Sequence, residues 1–269
     1  MKRAEMDRYR QLLAAVIVEA GGLLRERAYD LHDIRYKGEI NLVTEADLLS
    51  EELIVGRIRQ SFPGHDILAE ESPDTTKGSR FRWIIDPLDG TTNYAHGFPI
   101  FCVSIALEVD GEILLGAVYS PMLKELFVAA KGEGASLNGS PLAVSRTADL
   151  AKGLLGTGFP YDLRETRDNN MNYFRALSMS AQAVRRPGAA ALDLAYVAAG
   201  RFDGFWELRP MPWDTAAGWL LVTEAGGAVT DIFGAAYGLR SPHILGGNGL
   251  INEQMLAVIA KADPLDRAD

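Results

Sequence analysis

The apolar positions change period along the chain. Near the start, Leu13, Val16, Ile17, Ala20 and Leu24 recur at helical spacing, which predicts an amphipathic first helix ending near the Arg25 to Arg27 cluster. A polar, glycine-containing stretch from Asp30 to Asn41 reads as a mobile loop before a second helix beginning at Thr44. Asp66 to Ala69, bounded by Pro63-Gly64, reads as a short strand, and Phe81 to Ile85 as a buried strand ended by Pro87 and Gly90. Then Val103 to Val109, Ile113 to Tyr119 and Glu125 to Ala130, separated by Asp110-Gly111 and Pro121, predict hairpins of an antiparallel sheet. The turn-rich segment Lys131 to Gly139 closes it, and lacks the Gly-Lys-Ser/Thr ending of a Walker phosphate loop.

Beyond residue 145 the rhythm becomes strand, helix, strand. Leu154 to Phe159, Val184, Phe202 to Glu207 and Ala228 to Asp231 read as strands. Asn169 to Ser180, Ala189 to Ala199, Thr215 to Ala225 and Asn252 to Lys261 read as helices, an α/β pattern. With 269 residues, 48% of them hydrophobic, the chain suffices for one large domain or two intimately packed halves. No internal repeat and no low-complexity linker interrupts it.

Charge and cysteine content narrow the function classes. A net charge of -9 argues against nonspecific attraction to nucleic acid or membrane, both anionic. The lone Cys102 lies in an alternating strand and reads as a buried small hydrophobe in a reducing compartment. No run reaches the roughly 18 apolar residues of a membrane helix. Leu12 to Val18 resembles a short signal core, but Glu5 and Asp7 precede it and Glu19 cuts it off, so a cytoplasmic protein is expected.

The candidate chemistry centres on Trp83-Ile84-Ile85-Asp86-Pro87-Leu88-Asp89-Gly90-Thr91-Thr92-Asn93, where an apolar run delivers two carboxylates to a strand's end. Hard cations such as Mg²⁺ take carboxylate and carbonyl oxygens together with substrate phosphate. Gly90, Thr91 and Thr92 can start a helix whose free N–H groups hold an anion. Asp, Pro and Gly are also ordinary turn residues, and this segment alone leaves both readings open. Glu70-Glu71 likewise follow a short strand. Asp214, ahead of a helix, reads by itself as an N-cap, and Asp47, three residues after Thr44, as part of a capping box. The histidines at 32, 65, 96 and 243 show no ligand spacing.

Taken together these motifs resemble the inositol monophosphatase family, within the lithium-sensitive, Mg-dependent group that includes fructose-1,6-bisphosphatases. The signatures are Asp86 to Asn93 and Trp213-Asp214-Thr215-Ala216-Ala217-Gly218 with Thr223-Glu224-Ala225-Gly226-Gly227. Leu42 to Asp47, Glu70-Glu71-Ser72 and Gly188 to Asp193 support them, and the likeness spans roughly residues 10 to 260. Such a match implies a layered αβαβα sandwich: residues 1–145 form an antiparallel-sheet half with two N-terminal helices, residues 146–269 an α/β half, and the site lies between them.

Matching positions imply two to three Mg²⁺ ions. Glu70, Asp86 and the Leu88 carbonyl would hold the first, and Asp86, Asp89 and Asp214 the second, so Asp86 bridges. A third would lie near Glu70; Thr91 and Asp47 would orient and deprotonate the attacking water, and the Gly90 and Thr91 N–H groups would grip phosphate. Asp89 and Glu207 would meet substrate hydroxyls, with backbone at Gly188, Ala189 and Ala190 near the ring. Ala189 departs from the Ser or Thr common in the family, removing a side-chain hydrogen bond to the sugar. Arg185 is a candidate for a second phosphate, and Lys37 for phosphate or metal, each equally readable as a solvated side chain.

The implied activity is hydrolysis of myo-inositol monophosphate or a similar small sugar phosphate by a soluble homodimer. Rivals of the same class within the fold are fructose-1,6-bisphosphatase, histidinol-phosphatase and nucleotide 3′-phosphatase, and the rival of another class is a non-catalytic regulatory binding protein using this scaffold. Like charges at about 4 Å repel by about 4 kcal/mol at an effective dielectric of about 20, so metal is expected to stabilise the fold.

Overall fold

The computed structural model describes residues 3–28, 34–36, 42–74 and 76–262, with only the backbone at 34–36 and 42–43. Helix α1 (Arg3–Arg27) buries Tyr9, Leu13, Val16, Ile17, Ala20, Gly21 and Leu24, the stripe read from the sequence. Part of the expected loop is ordered instead: β1 (Ile34–Tyr36) pairs antiparallel with β2 (Leu42–Thr44). Lys37 and His32 lie outside the described residues. Thr44 ends β2 and caps α2 (Glu45–Ser61).

The first sheet takes β3 (Asp66–Ala69), β4 (Phe81–Asp89), β5 (Cys102–Val109), β6 (Glu112–Ser120), β7 (Glu125–Ala130), β8 (Gly134–Leu137) and β9 (Ser140–Pro141) in chain order. All its pairings are antiparallel except β3 with β4, which is parallel. Strand β4 does not end at Ile85. It continues to Asp89 because its register on β5 slips between Asp86 and Asp89, and Pro87, lacking an N–H, falls in the slip. Gly90, at φ 94°, then turns the chain into the five-residue helix α3 (Thr91–Ala95).

After β10 (Leu154–Thr157) come α4 (Met171–Ser178), β11 (Ala183–Arg185), α5 (Ala190–Ala198), β12 (Gly204–Leu208), α6 (Pro212–Glu224), β13 (Ala228–Thr230), β14 (His243–Gly247) and α7 (Asn252–Ala260). The second sheet runs β11-β10-β12-β14-β13; the first three strands are parallel, and β14 is antiparallel to both neighbours. Strand β14 has no sequence forecast. Its Gly246-Gly247 end resembles a loop, yet a Cβ at Gly247 would lie 2.5 Å from Asn252 Oδ1.

Helices α1 and α2 cover one face of the first sheet, α5 and α6 lie between the sheets, and α4 and α7 cover the far face of the second. This is the αβαβα sandwich. Because helices pack on both faces, β5 is buried throughout: Val103, Ile105, Leu107 and Val109 face α1 and α2, while Cys102 and Ala106 face the α5/α6 layer. The middle layer depends on small residues. A Cβ at Gly116 of β6 would lie 2.9 Å from Ala217 Cα of α6, and one at Gly218 would lie 2.5 Å from Leu194 Cβ of α5. Backbone cannot yield as a flexible side chain does, so Gly116→Ala is expected to cost about 1–3 kcal/mol and lower the melting temperature by roughly 2–12 °C. A calorimetric scan giving an unchanged transition contradicts this packing.

Candidate active site

The slip in β4 sets two carboxylates at different depths. Ser50 of α2 donates to the Pro87 carbonyl at 2.8 Å, tying the slip to the first helical layer. Asp86 pairs across the ladder with Ser104, whose hydroxyl donates to the Trp213 carbonyl at 3.2 Å. Asp86 is thereby carried beside the first turn of α6, where Asp214 stands. Asp89 pairs with Cys102 and accepts the N–H groups of Ala190 at 3.1 Å and Ala191 at 2.8 Å. Those are orphan donors of α5, which begins after Ala189 with no capping side chain of its own. Asp89 from the first sheet caps the helix from outside, which spends the Ala190 N–H and favours the ionised carboxylate.

The other acids are held in the same manner. Asp47 accepts the Thr44 N–H at 2.8 Å, the Thr44 hydroxyl at 2.5 Å and the Thr91 hydroxyl at 3.1 Å. Thr91 Oγ1 also lies 3.0 Å from the Leu88 carbonyl. Asp214 accepts the Met211 N–H at 2.7 Å. The capping readings of Asp47 and Asp214 therefore hold alongside their place in the cluster; one carboxylate oxygen serves the helix and the group still faces the cavity.

Electrostatics shows which groups share that cavity. Burial pushes the Asp86 carboxyl well up, and Glu70, Asp89 and Asp214 push it further by repulsion. Asp214 is raised by burial and then by Glu207, Asp89 and Glu70. Burial lifts Asp89 to about 6 against the Ala190, Ala191 and Leu192 N–H groups and the Cys102 thiol, and Asp47 to about 6 against Thr44 and Thr91. Glu207 rises to about 8 through burial and Asp89, opposed by Arg186. Glu70, Asp86, Asp89 and Asp214 thus sit within each other's fields. Among the described residues no three acidic, cysteine or histidine side chains close to metal-binding distance. The donors are oxygens alone, and Asp86 and Asp89 are nearly fully buried. That is the environment a hard divalent cation fits.

Several participants carried no separate sequence forecast. Glu51, one helical turn after Asp47, accepts the Glu71 N–H at 2.8 Å and the Ser72 hydroxyl, fixing the segment that bears Glu70; its i, i+4 spacing from Asp47 was the available signal. Asn93 donates to the carbonyls of Ile100 at 2.7 Å and Pro187 at 2.8 Å, joining α3 to the Gly188 segment. Cys102 is buried as expected, and its thiol also reaches Asp89 Oδ2 at 3.4 Å. Arg185 is exposed and donates to its neighbour's carbonyl, Val184 O, at 3.1 Å. The arginine that faces Asp193 and Glu207 is Arg186. His65 accepts the Trp83 indole N–H at 3.0 Å within an aromatic stack, away from the acids.

Known proteins resemble the chain over nearly its whole length. The model of the inositol monophosphatase family matches residues 5–263. An inositol-1-monophosphatase of Synechocystis sp. is 42% identical over 259 residues, 96% of this chain and 90% of the relative. A Pseudomonas aeruginosa relative named Nus factor SuhB is 44% identical over 235 residues, 86% of this chain and 87% of its own. The solved inositol monophosphatase of Anabaena (Nostoc) sp. superposes with a TM-score of 0.89 at 42% identity, covering 97% of this chain and 98% of that one. By its sequence and its layered fold, the chain belongs to the inositol monophosphatase family of phosphatases.

Proposed function

We propose that the protein hydrolyses a small phosphate monoester with Mg²⁺, and that its substrate is myo-inositol monophosphate. The observation that carries this reading is the mutual repulsion of the buried Asp86 and Asp89 with the half-buried Glu70 and Asp214, beside the hydroxyl–carboxylate pair of Thr91 and Asp47. Glu70, Asp86, Asp89, Asp214 and the Leu88 carbonyl would hold the cations. Bound there, Mg²⁺ offsets the charge of phosphate and lowers the pKa of water.

The chain's own groups then move the proton. Thr91 Oγ takes one from the attacking water as it passes its own to Asp47 Oδ1, 3.1 Å away. Water oxygen bonds to phosphorus, the ester P–O bond breaks in line, and solvent protonates the leaving alkoxide. The Gly90 and Thr91 N–H groups at the start of α3 are assigned to the phosphate oxygens. Glu207 and Asp89 meet substrate hydroxyls beside the Gly188, Ala189 and Ala190 backbone. A second phosphate near Arg186 would meet Asp193 and Glu207, two carboxylates for one guanidinium, which favours a monophosphate. A cytoplasmic homodimer inhibited by lithium accompanies this reading. Among the described residues no helix is long and apolar enough to cross a membrane.

The name Nus factor borne by relatives at 44% identity favours one second reading, a regulatory binding role on the same scaffold. Turnover separates the two. Comparing kcat/KM for inositol 1-phosphate, fructose 1,6-bisphosphate, histidinol phosphate and a nucleotide 3′-phosphate, with Mg²⁺, is expected to rank the first highest. Release of phosphate from none of them moves the assignment to the regulatory role.

The raised carboxyls also set a pH dependence. In the metal-free protein the native state binds more protons than the unfolded chain between the ordinary carboxyl pKa of about 4 and the elevated native values. Stability therefore falls as pH rises through about 6, where Asp47 and Asp89 titrate, and on through about 8 with Glu207. Mg²⁺ replaces those protons, so its increase in melting temperature is expected to be larger near about pH 8 than near about pH 5. Melting curves superposable with chelator and with Mg²⁺ contradict the site. Asp86→Asn removes the central charge: turnover is expected to drop by roughly 10²–10³-fold or more, while the metal-free melting temperature rises. A variant that keeps the wild-type rate rejects the bridging assignment.

A further inference from the structure

Gly158 follows β10, and none of the roles above uses it. Strands β10 and β12 run parallel with Thr157 beside Trp206, so the next pair in line is Gly158 and Glu207, which share one face of the sheet. Phe205 lies on that face of β12 too, and packs into the layer of α5 and α6. A Cβ at Gly158 would lie 2.0 Å from Glu207 Oε1, 2.4 Å from Cδ and 2.9 Å from Oε2. The carboxylate therefore rests on bare backbone, in the volume that any side chain at 158 would fill. Among the described residues Glu207 Oε2 is buried and has no hydrogen-bond partner, which leaves an acceptor open.

The backbone is held in that contact from the other side. Asn170, fully buried at φ 73° just ahead of α4, donates to the Gly158 carbonyl at 2.6 Å and to Thr157 Oγ1 at 2.9 Å, and accepts the Trp206 indole N–H at 2.6 Å. Thr157 Oγ1 in turn donates to the Trp206 carbonyl at 2.8 Å. Asn holds the left-handed conformation at small cost, and its one amide here serves three partners on the two strand ends. Trp206 is itself completely buried, so the residue before Glu207 is fixed as firmly as the residue before Gly158. With both strand ends fixed, a side chain added at Gly158 is relieved by the free end of Glu207 and not by the backbone.

Building on the phosphatase reading, we propose that Gly158 is a specificity-determining residue that acts by positioning Glu207: with no side chain at 158, the carboxylate lies back against the strand end and its open oxygen accepts a hydroxyl of a polyol phosphate. A buried acceptor built for a hydroxyl discriminates strongly, because an ester that brings no donor leaves it unpaired. That discrimination depends on placement, since a displacement of about 1 Å is enough to lose the alignment of a bound substrate.

The test is a double-mutant cycle of Gly158→Ala and Glu207→Ala, read with Mg²⁺ on inositol 1-phosphate and on phenyl phosphate, which carries no hydroxyl, and in parallel by melting. Gly158→Ala is expected to lower the inositol-to-phenyl ratio of kcat/KM by roughly 10–100-fold, and Glu207→Ala to lower it as well. The double variant is expected to match Glu207→Ala, since without the carboxylate nothing is left to misplace. In melting, Gly158→Ala is expected to lower the transition by roughly 2–12 °C when Glu207 is present and far less in the Glu207→Ala background. Equal losses on both esters, an unchanged ratio, or losses that multiply in the double variant each overturn the proposal. If Gly158→Ala alone does not fold, recovery of folding in the double variant supports the pairing and failure to recover overturns it. Wild-type inactivity on both esters counts against the phosphatase reading, while the melting cycle reports the pairing of the two residues by itself. Wild-type activity on phenyl phosphate alone counts against the inositol assignment, and fructose 1,6-bisphosphate then supplies the polyol arm of the same ratio.

Discussion

Acids that repel one another can share a buried cavity only if something else holds each of them there, and in this protein the holding is done by hydrogen-bond donors of helix ends. Asp47 is tied to Thr44 at the start of α2, Asp214 to Met211 at the start of α6, and Asp89 to the Ala190 and Ala191 N–H groups of α5. Each carboxylate satisfies an orphan donor and sits near a positive dipole end, offsetting part of its desolvation. Asp86, at the centre, is held most weakly, by the Leu88 N–H at 3.0 Å, and is raised well above the usual carboxyl range.

This arrangement couples the two sheets to the chemistry. The bond from Asp89 to α5 and the bond from Ser104 to Trp213 both cross from the first sheet to helices of the middle layer. Those helices approach because Gly116, Ala217 and Gly218 leave room for backbone. At the proposed site a bound cation would return the stability withheld by crowding like charges, by replacing the protons that the native state otherwise favours.

Much of the element order was legible. Burial along α1 and β5 follows short-range periodicity, and the limits of β7 agree with Glu125 to Ala130. The departures have local causes. Pro87 reads as a terminator, yet a slipped ladder needs no donor at that place, so β4 runs to Asp89. Strand β14 had no forecast, and its glycines pack closely on Asn252 and Leu194. Capping and cavity roles compete for Asp47 and Asp214 in the sequence, whereas in three dimensions two carboxylate oxygens serve both.

By itself the sequence determined the periodicities, the strand-delivered pair Asp86 and Asp89, and the motif set that marks the family, because these depend on neighbours a few residues apart. Only the tertiary structure decided that Asp89 caps a helix about a hundred positions away, that Glu51 anchors the Glu70 segment, and that Arg186 and not Arg185 faces Glu207. Those relations are contacts between distant segments. They are set by how five layers pack, which no local pattern encodes.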